Sequence, residues 1–564
     1  MEEEMNRRIG SRMGSDGVPV GRSIATPVQD TRRAEIVVPP AEVIPIVFVP
    51  GIMGSNLRNR ESGESVWNAS TVLTLAWQWA FRSAKTRQAK LDPAAVEVDP
   101  DGKLPKVGRY AGDDGQSVRL GVEQLRERGW GGVSRAGYGD FMAWLEPALN
   151  SGAANPWDGL AGGAGGNGTG EARGGPEAWG AQKPFSPLTG EEADRAWSVQ
   201  CPLYGVGYNW LQSNGKSALD LVARMDEIIA EWRDREAGGA RPYRCERVIL
   251  VTHSMGGLVA RAAIHPAYGN AEDRILGISH GVMPADGAAA SYHHVRSGYD
   301  GFSRFVLGKD AAQVTAIFAN ACGPLELLPN KLYGGGWLKI VSKRESANEE
   351  FFTLPKDSPY TEIYSNREAW WRLIDPDLID PAGSARDQKK VDGKECDPWL
   401  DVYAKKLVTA DQFHAEIGRK YHARTYAHYG ADPKRASYSS IVWATKDLIT
   451  LSTEKLQASP PVNATGFSAL KLALTPAKDD SDPARVAQDE GCAVFEIADA
   501  AEPGDGTVPE NSGAGPFARG GGDVRQSFRL TRTSKGHAGS YDDENVQQIT
   551  LYSIGKIIAE VAAE

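Results

Sequence analysis

The chain has 564 residues, 41% of them hydrophobic, so it can bury a sizeable core; its length suits one α/β core carrying large insertions. A net charge of −10 argues against a general nucleic-acid binder. The five cysteines (Cys201, Cys245, Cys322, Cys396 and Cys492) lie far apart without a C-x-x-C pair or a Cys/His cluster, so neither a disulfide framework nor a zinc site is expected, and no cofactor or metal is predicted.

Residues 1–40 are polar and rich in arginine, glycine and proline and read as a mobile N-terminal arm. The opening Met1-Glu2-Glu3-Glu4-Met5-Asn6-Arg7-Arg8 lacks an apolar stretch, so no Sec leader is expected. The longest apolar run, Val72 to Phe81, is too short to span a bilayer. The expectation is a protein made in the cytoplasm that would leave it by a leaderless route.

The first core strand is Ile44 to Pro50, running into Gly51-Ile52-Met53-Gly54-Ser55. Thr71 to Phe81 is apolar and aromatic and is followed by Arg82, Lys85, Arg87 and Lys90. A core or cap helix with a solvated end is one reading of it; a segment resting on an anionic membrane is the other. A glycine-rich stretch spans Gly159 to Gly175 and reads as disordered. Tyr204 to Trp210 marks a strand end and loop, and Leu219, Val222, Met225, Ile229 and Trp232 then form the buried stripe of a helix.

Val248-Ile249-Leu250-Val251 has the uninterrupted apolar character of a parallel-sheet core strand. It leads into Thr252-His253-Ser254-Met255-Gly256-Gly257, the form of a nucleophile elbow: one serine at a tight corner, then small residues that let a helix begin at once. The usual first glycine of the elbow is replaced by Thr252, which must fit a β-branched side chain beneath the corner. Ile275 to Ser279 is the next core strand. Residues 281–420, with clusters at Phe302, Phe305, Val306, Leu307 and Trp370-Trp371, read as a cap. The core resumes at Arg424 to Gly430, a polar insertion follows near Pro476 to Asp489, and Gln526 to Thr531 and Asn545 to Ala563 supply a late strand and a final amphipathic helix. The β-α-β order predicts an α/β fold with a mostly parallel central sheet and large cap or lid insertions. Residues 41–280 form the first part of the core, with an insertion at 60–200, and residues 421–564 form the second.

A serine nucleophile needs a base, and the base needs an acid to hold its tautomer. Asp505 lies in the glycine-flanked turn Gly504-Asp505-Gly506-Thr507-Val508-Pro509, and His537 in the loop Ser534-Lys535-Gly536-His537-Ala538-Gly539; each follows a predicted strand. Ser254, Asp505 and His537 are therefore the candidate triad, in the order nucleophile, acid, base. The oxyanion donors are expected at the N–H of Met255 and of Ile52, with Met53 as the alternative to Ile52. His253, beside the nucleophile, is expected to point away from it. His280 could line the pocket, His293 and His294 fit structural or surface roles, and Asp499 and Asp542 are less well framed acids.

The segments Pro50-Gly51-Ile52-Met53-Gly54-Ser55, Thr252 to Arg261, Gly504 to Pro509 and the His537 loop resemble, in that order, those of the lecithin:cholesterol acyltransferase family and the related lipases of the GPI inositol-deacylase type. The resemblance covers about half the chain and departs from the family at Thr252. It implies an α/β-hydrolase fold and an acyl-enzyme on Ser254, with a lipid ester as substrate. The size, the expected lack of a leader, and His280-Gly281-Val282-Met283-Pro284 followed by a large aromatic cap look like bacterial type VI secretion lipase effectors. That similarity implies membrane phospholipid as substrate, a secretion spike protein and a cognate immunity protein as partners, delivery to a target-cell periplasm, and no nucleic acid. A lipid acyltransferase, a general serine esterase and a binding module without chemistry are the alternative readings.

Overall fold

The computed structural model describes residues 42–561 except 69, 112–116, 152–154, 161–178, 238–240, 300–302, 345–346, 385–395, 448, 450, 462–468 and 474–491, together with three short strands nearer the N-terminus. Those strands (Arg7–Met13, Pro19–Gly21 and Ala34–Val37) pair with one another; the rest of the expected arm lies outside the described residues, as do Phe302, most of the glycine-rich stretch and the polar insertion at 476–489.

The core elements, in chain order, are β1 (Ile46–Val49), α1 (Val72–Trp79), α2 (Arg135–Asn150), β2 (Leu203–Gly205), α3 (Asn214–Arg233), β3 (Val248–His253), α4 (Gly256–Ile264), β4 (Ile275–Gly281), β5 (Thr425–Gly430), β6 (Val524–Leu530) and α5 (Glu544–Val561). The six strands make one sheet in the order β2-β1-β3-β4-β5-β6, and every neighbouring pair is parallel. A parallel sheet is covered on both faces, so its strands are apolar in both directions. Along β1, Val47 and Val49 enter a core with Leu221 and Met225 of α3 and Leu258 and Val259 of α4. Ile46 and Phe48 face the opposite core, with Phe141 and Leu145 of α2 and Ile554 and Ile557 of α5.

The stripe of α3 differs from the expected one at one end. Leu219 is 51% exposed, while Ala218, Leu221 and Ile228 are buried with Val222, Met225, Ile229 and Trp232. At about 100° per residue, a face centred on Ala218, Leu221, Val222 and Met225 turns position 219 to solvent.

A second, five-stranded sheet has the order Ala347–Leu354, Leu338–Arg344, Ile441–Thr445, Cys492–Ile497, Ala469–Ala473. It draws strands from both of the segments expected to divide at residue 420, and Leu338–Ser342 pairs in parallel with Ile441–Thr445. Its own core gathers Trp370, Trp371, Trp443 and Phe495. Among the described residues, no helix is long and apolar enough to cross a membrane.

Candidate active site

All strands of the main sheet run the same way, so the loops at their carboxyl ends gather along one edge. Four of these loops build the site. The loop after β1 supplies Gly51 to Gly54, the corner after β3 supplies Ser254, and residues beyond β5 and β6 supply Asp505 and His537.

Ser254 sits at φ +52°, in the left-handed region that a non-glycine residue enters only at some cost. The corner is held by its N–H donating to Gly281 O at 2.8 Å. It also needs close approach behind it: a Cβ on Gly256 would lie 2.5 Å from the carbonyl oxygens of Val49 and Pro50, so glycine lets α4 start against the end of β1. Thr252, where the elbow usually has glycine, is fully buried, and its Oγ1 lies 2.9 Å from His280 Nδ1. The β-branched side chain is thus accommodated by a hydrogen bond beneath the corner.

His537 Nε2 lies 3.0 Å from Ser254 Oγ, and His537 Nδ1 lies 2.8 Å from Asp505 Oδ2. The carboxylate can only accept, so Nδ1 carries the hydrogen and Nε2 presents a lone pair to the serine hydroxyl. The other carboxylate oxygen of Asp505 accepts the N–H groups of Thr507 at 2.9 Å and Val508 at 2.7 Å. The His537 N–H donates to Asp505 O at 2.9 Å, which ties the two loops together. Ser254 and Asp505 are buried, and the His537 side chain is 13% exposed.

His253 is not turned away from this group. Its Nε2 lies 2.9 Å from His537 O, and its Nδ1 lies 2.8 Å from Tyr138 Oη. A carbonyl only accepts, so Nε2–H donates, Nδ1 accepts from the tyrosine hydroxyl, and that hydroxyl accepts the Gly51 N–H at 3.0 Å. Burial, with His537 nearby as the second cause, lowers the pKa of His253 to about 3, so the ring stays neutral. Tyr138, from α2, and His253 as its partner are the residues that sequence reasoning missed. The only sequence signal was the histidine beside Ser254.

A pocket of about 190 Å³ opens over Ser254, lined by Gly51, Ile52, Met53, Tyr138, His253 and His537 among others. Ile52 and Met53 both line it; Met53 sits at φ +62° with its carbonyl accepting Trp67 Nε1–H at 3.0 Å. Met255 is fully buried and is not part of the lining, although its N–H, like that of Ile52, takes no acceptor among the described residues. Such an array can deprotonate a hydroxyl, hold the resulting imidazolium against a carboxylate and exclude most bulk water.

The alpha/beta hydrolase family model matches residues 160–445. A solved structure described as the Tle4–Tli4 complex contains a chain 31% identical to this one, covering 91% of this chain and 98% of that one with a TM-score of 0.68. The chain belongs to the alpha/beta hydrolase family. No curated protein sequence matches it.

The remaining candidates lie elsewhere in the hydrolase structure. His280 is buried against Thr252 rather than in the pocket lining. His293 stacks on Tyr438 at 4.5 Å and His294 on Tyr299 at 3.9 Å between ring centres, so both pack internally. Asp499 and Asp542 are exposed, and the Nδ1 of His537 is taken by Asp505. Among the described residues, no three His, Cys, Asp or Glu side chains gather in a form that could hold a metal ion.

Proposed function

We propose that this hydrolase is a serine carboxylic ester hydrolase of the lipase or phospholipase A type, acting on membrane phospholipid as an antibacterial toxin. The observation that carries the reading is the chain of contacts from Asp505 Oδ2 through the His537 ring to Ser254 Oγ, at 2.8 and 3.0 Å. Ser254 Oγ attacks the ester carbonyl while His537 Nε2 takes its proton. The N–H groups of Ile52 and Met255 stabilise the oxyanion. His537 then protonates the leaving alcohol and activates the water that releases the fatty acid.

The likeness to a chain of the Tle4–Tli4 complex supports the effector reading, and a second protein bound in that structure supports a cognate immunity protein as partner. Delivery by type VI secretion on a spike protein into a target-cell periplasm belongs to the same proposal, as does the lecithin:cholesterol acyltransferase-like character of the motifs.

The test is mass spectrometry of a phospholipid extract incubated with the wild-type chain and with Ser254→Ala. Free fatty acid and lysolipid appear only with the wild type. Equal product from both chains removes Ser254 as nucleophile, and no product from either removes the lipase reading.

A further inference from the structure

Helix α1 carries large apolar side chains on two opposite faces. Leu75, Ala76 and Trp79 are buried, with the Trp79 ring 5.6 Å from that of Trp67. Leu73 and Trp77, one helical turn apart and therefore on one side, are 66% and 78% exposed, and Phe81, in the turn just beyond the helix, is 87% exposed. Phe305, on the short neighbouring helix Ser303–Leu307, is also exposed. Scattered apolar residues are ordinary on a surface, but a row of this kind marks an interaction site.

The row is held in place. Arg87, expected from sequence to be a surface cation, is fully buried; its guanidinium donates to the carbonyls of Trp79 at 2.9 Å, Arg82 at 3.2 Å and Val306 at 2.8 Å. That clamp joins α1 to the Ser303–Leu307 helix. Lys90 is likewise engaged, 3.5 Å from Glu64. The cations left around the row are Arg82, Lys85 and Arg304, which are exposed and have no ion pair among the described residues.

We propose that the face formed by Leu73, Trp77, Phe81 and Phe305 with Arg82, Lys85 and Arg304 docks the protein on an anionic phospholipid bilayer. This deepens the lipase reading and rests on it. Two observations favour a bilayer over other occupants. An indole and phenyl rings flanked by cations match the interface between acyl chains and anionic headgroups. The pocket, at about 190 Å³, is too small for a whole long-chain ester, so most of such a substrate must remain outside it.

The face is also coupled to the site. Gln78 Nε2 donates to Val66 O at 2.9 Å, Trp79 packs on Trp67, and Trp67 Nε1 donates to the carbonyl of Met53 in the pocket lining. Docking through α1 therefore seats the loop beside Ser254 at a defined place relative to the bilayer.

The test measures sedimentation with vesicles of phosphatidylcholine, with and without about one-third phosphatidylglycerol, in a Ser254→Ala background so that no lipid is consumed. The parent binds the anionic vesicles about tenfold more tightly than Trp77→Ser/Phe81→Ser, and Arg82→Gln/Lys85→Gln loses only the preference for anionic lipid. With Ser254 restored, Trp77→Ser/Phe81→Ser cleaves a monomeric short-chain ester at the wild-type rate but vesicle lipid slowly. Equal vesicle binding by parent and Trp77→Ser/Phe81→Ser overturns the proposal. So does a parent dimer that this variant breaks, which makes the occupant a second copy, or loss of inhibition by an immunity protein with vesicle binding intact, which makes it a protein. Failure of ester cleavage with vesicle binding retained counts against the lipase reading alone.

Discussion

Tyr138 Oη lies 2.8 Å from His253 Nδ1, and the two side chains bridge the loop after β1 to the loop that carries His537. The Gly51 N–H feeds the tyrosine oxygen, and the far nitrogen of the imidazole holds the His537 carbonyl at 2.9 Å. Hydrogen bonds of this buried kind hold backbone positions that neither loop would fix by itself.

Tyr138→Phe keeps the ring and removes the hydroxyl, leaving the Gly51 N–H and His253 Nδ1 without partners. Stability falls by about 1–3 kcal/mol. Because the ring still lines the pocket, the effect on ester turnover falls on kcat, which drops about tenfold while KM stays within about twofold. Steady-state kinetics with a soluble ester checks this; an unchanged kcat removes the positioning role.

Asp505→Asn preserves shape while offering His537 Nδ1 an amide. The wrong tautomer then becomes available to the ring, and kcat falls by about 10⁴-fold with the fold intact. A loss of less than about tenfold would show that His537 is oriented chiefly by its backbone contacts with Asp505 and His253.

Stability is expected to peak near neutral pH. Burial lowers His253, His280 and His294 to about 3, and His414 and His428 to about 4, from an ordinary 6.5. Below 6.5 the unfolded chain takes up protons that the folded chain refuses, so each contributes a loss of up to about 1.4 kcal/mol per pH unit until the folded pKa is reached. Burial pushes Glu326 the other way, from 4.5 up to about 8, so its contribution is present below 4.5 and is lost as pH rises towards 8. These histidines together outweigh Glu326 and give a steep acid limb and a shallow basic one. Urea midpoints measured from pH 5 to pH 8 check this, and a flat profile contradicts it.

Thr252→Gly restores the usual elbow glycine, yet it destabilises. It adds entropy to the unfolded chain and removes the Oγ1 partner of His280 Nδ1, whose Nε2 has no partner among the described residues. The cost is about 2–4 kcal/mol by urea unfolding. A variant as stable as the parent would mean that the threonine is merely tolerated there.

The strands of the main sheet are legible in the sequence because both their faces are apolar, as in Val248 to Val251, and no solvent face dilutes the signal. The loops of Ser254, Asp505 and His537 stand out because a tight corner demands small residues beside it. Tyr138 is illegible for the opposite reason: it lies in the first turn of α2, 115 residues from His253, with nothing local to mark it. The second sheet is hidden in the same way, since its parallel pairing of Leu338–Ser342 with Ile441–Thr445 crosses a long intervening segment. Helix α1 reads equivocally because its apolar residues serve both the interior and the outside.

The twisted backbone at position 254 sets endurance against usefulness. Glycine adopts φ +52° without steric strain, so on the proposed reading a chain with glycine there sheds that strain and loses its action on an ester together. Breeding this enzyme for toughness alone would therefore drift towards an inert survivor, and any such campaign has to score turnover at every round.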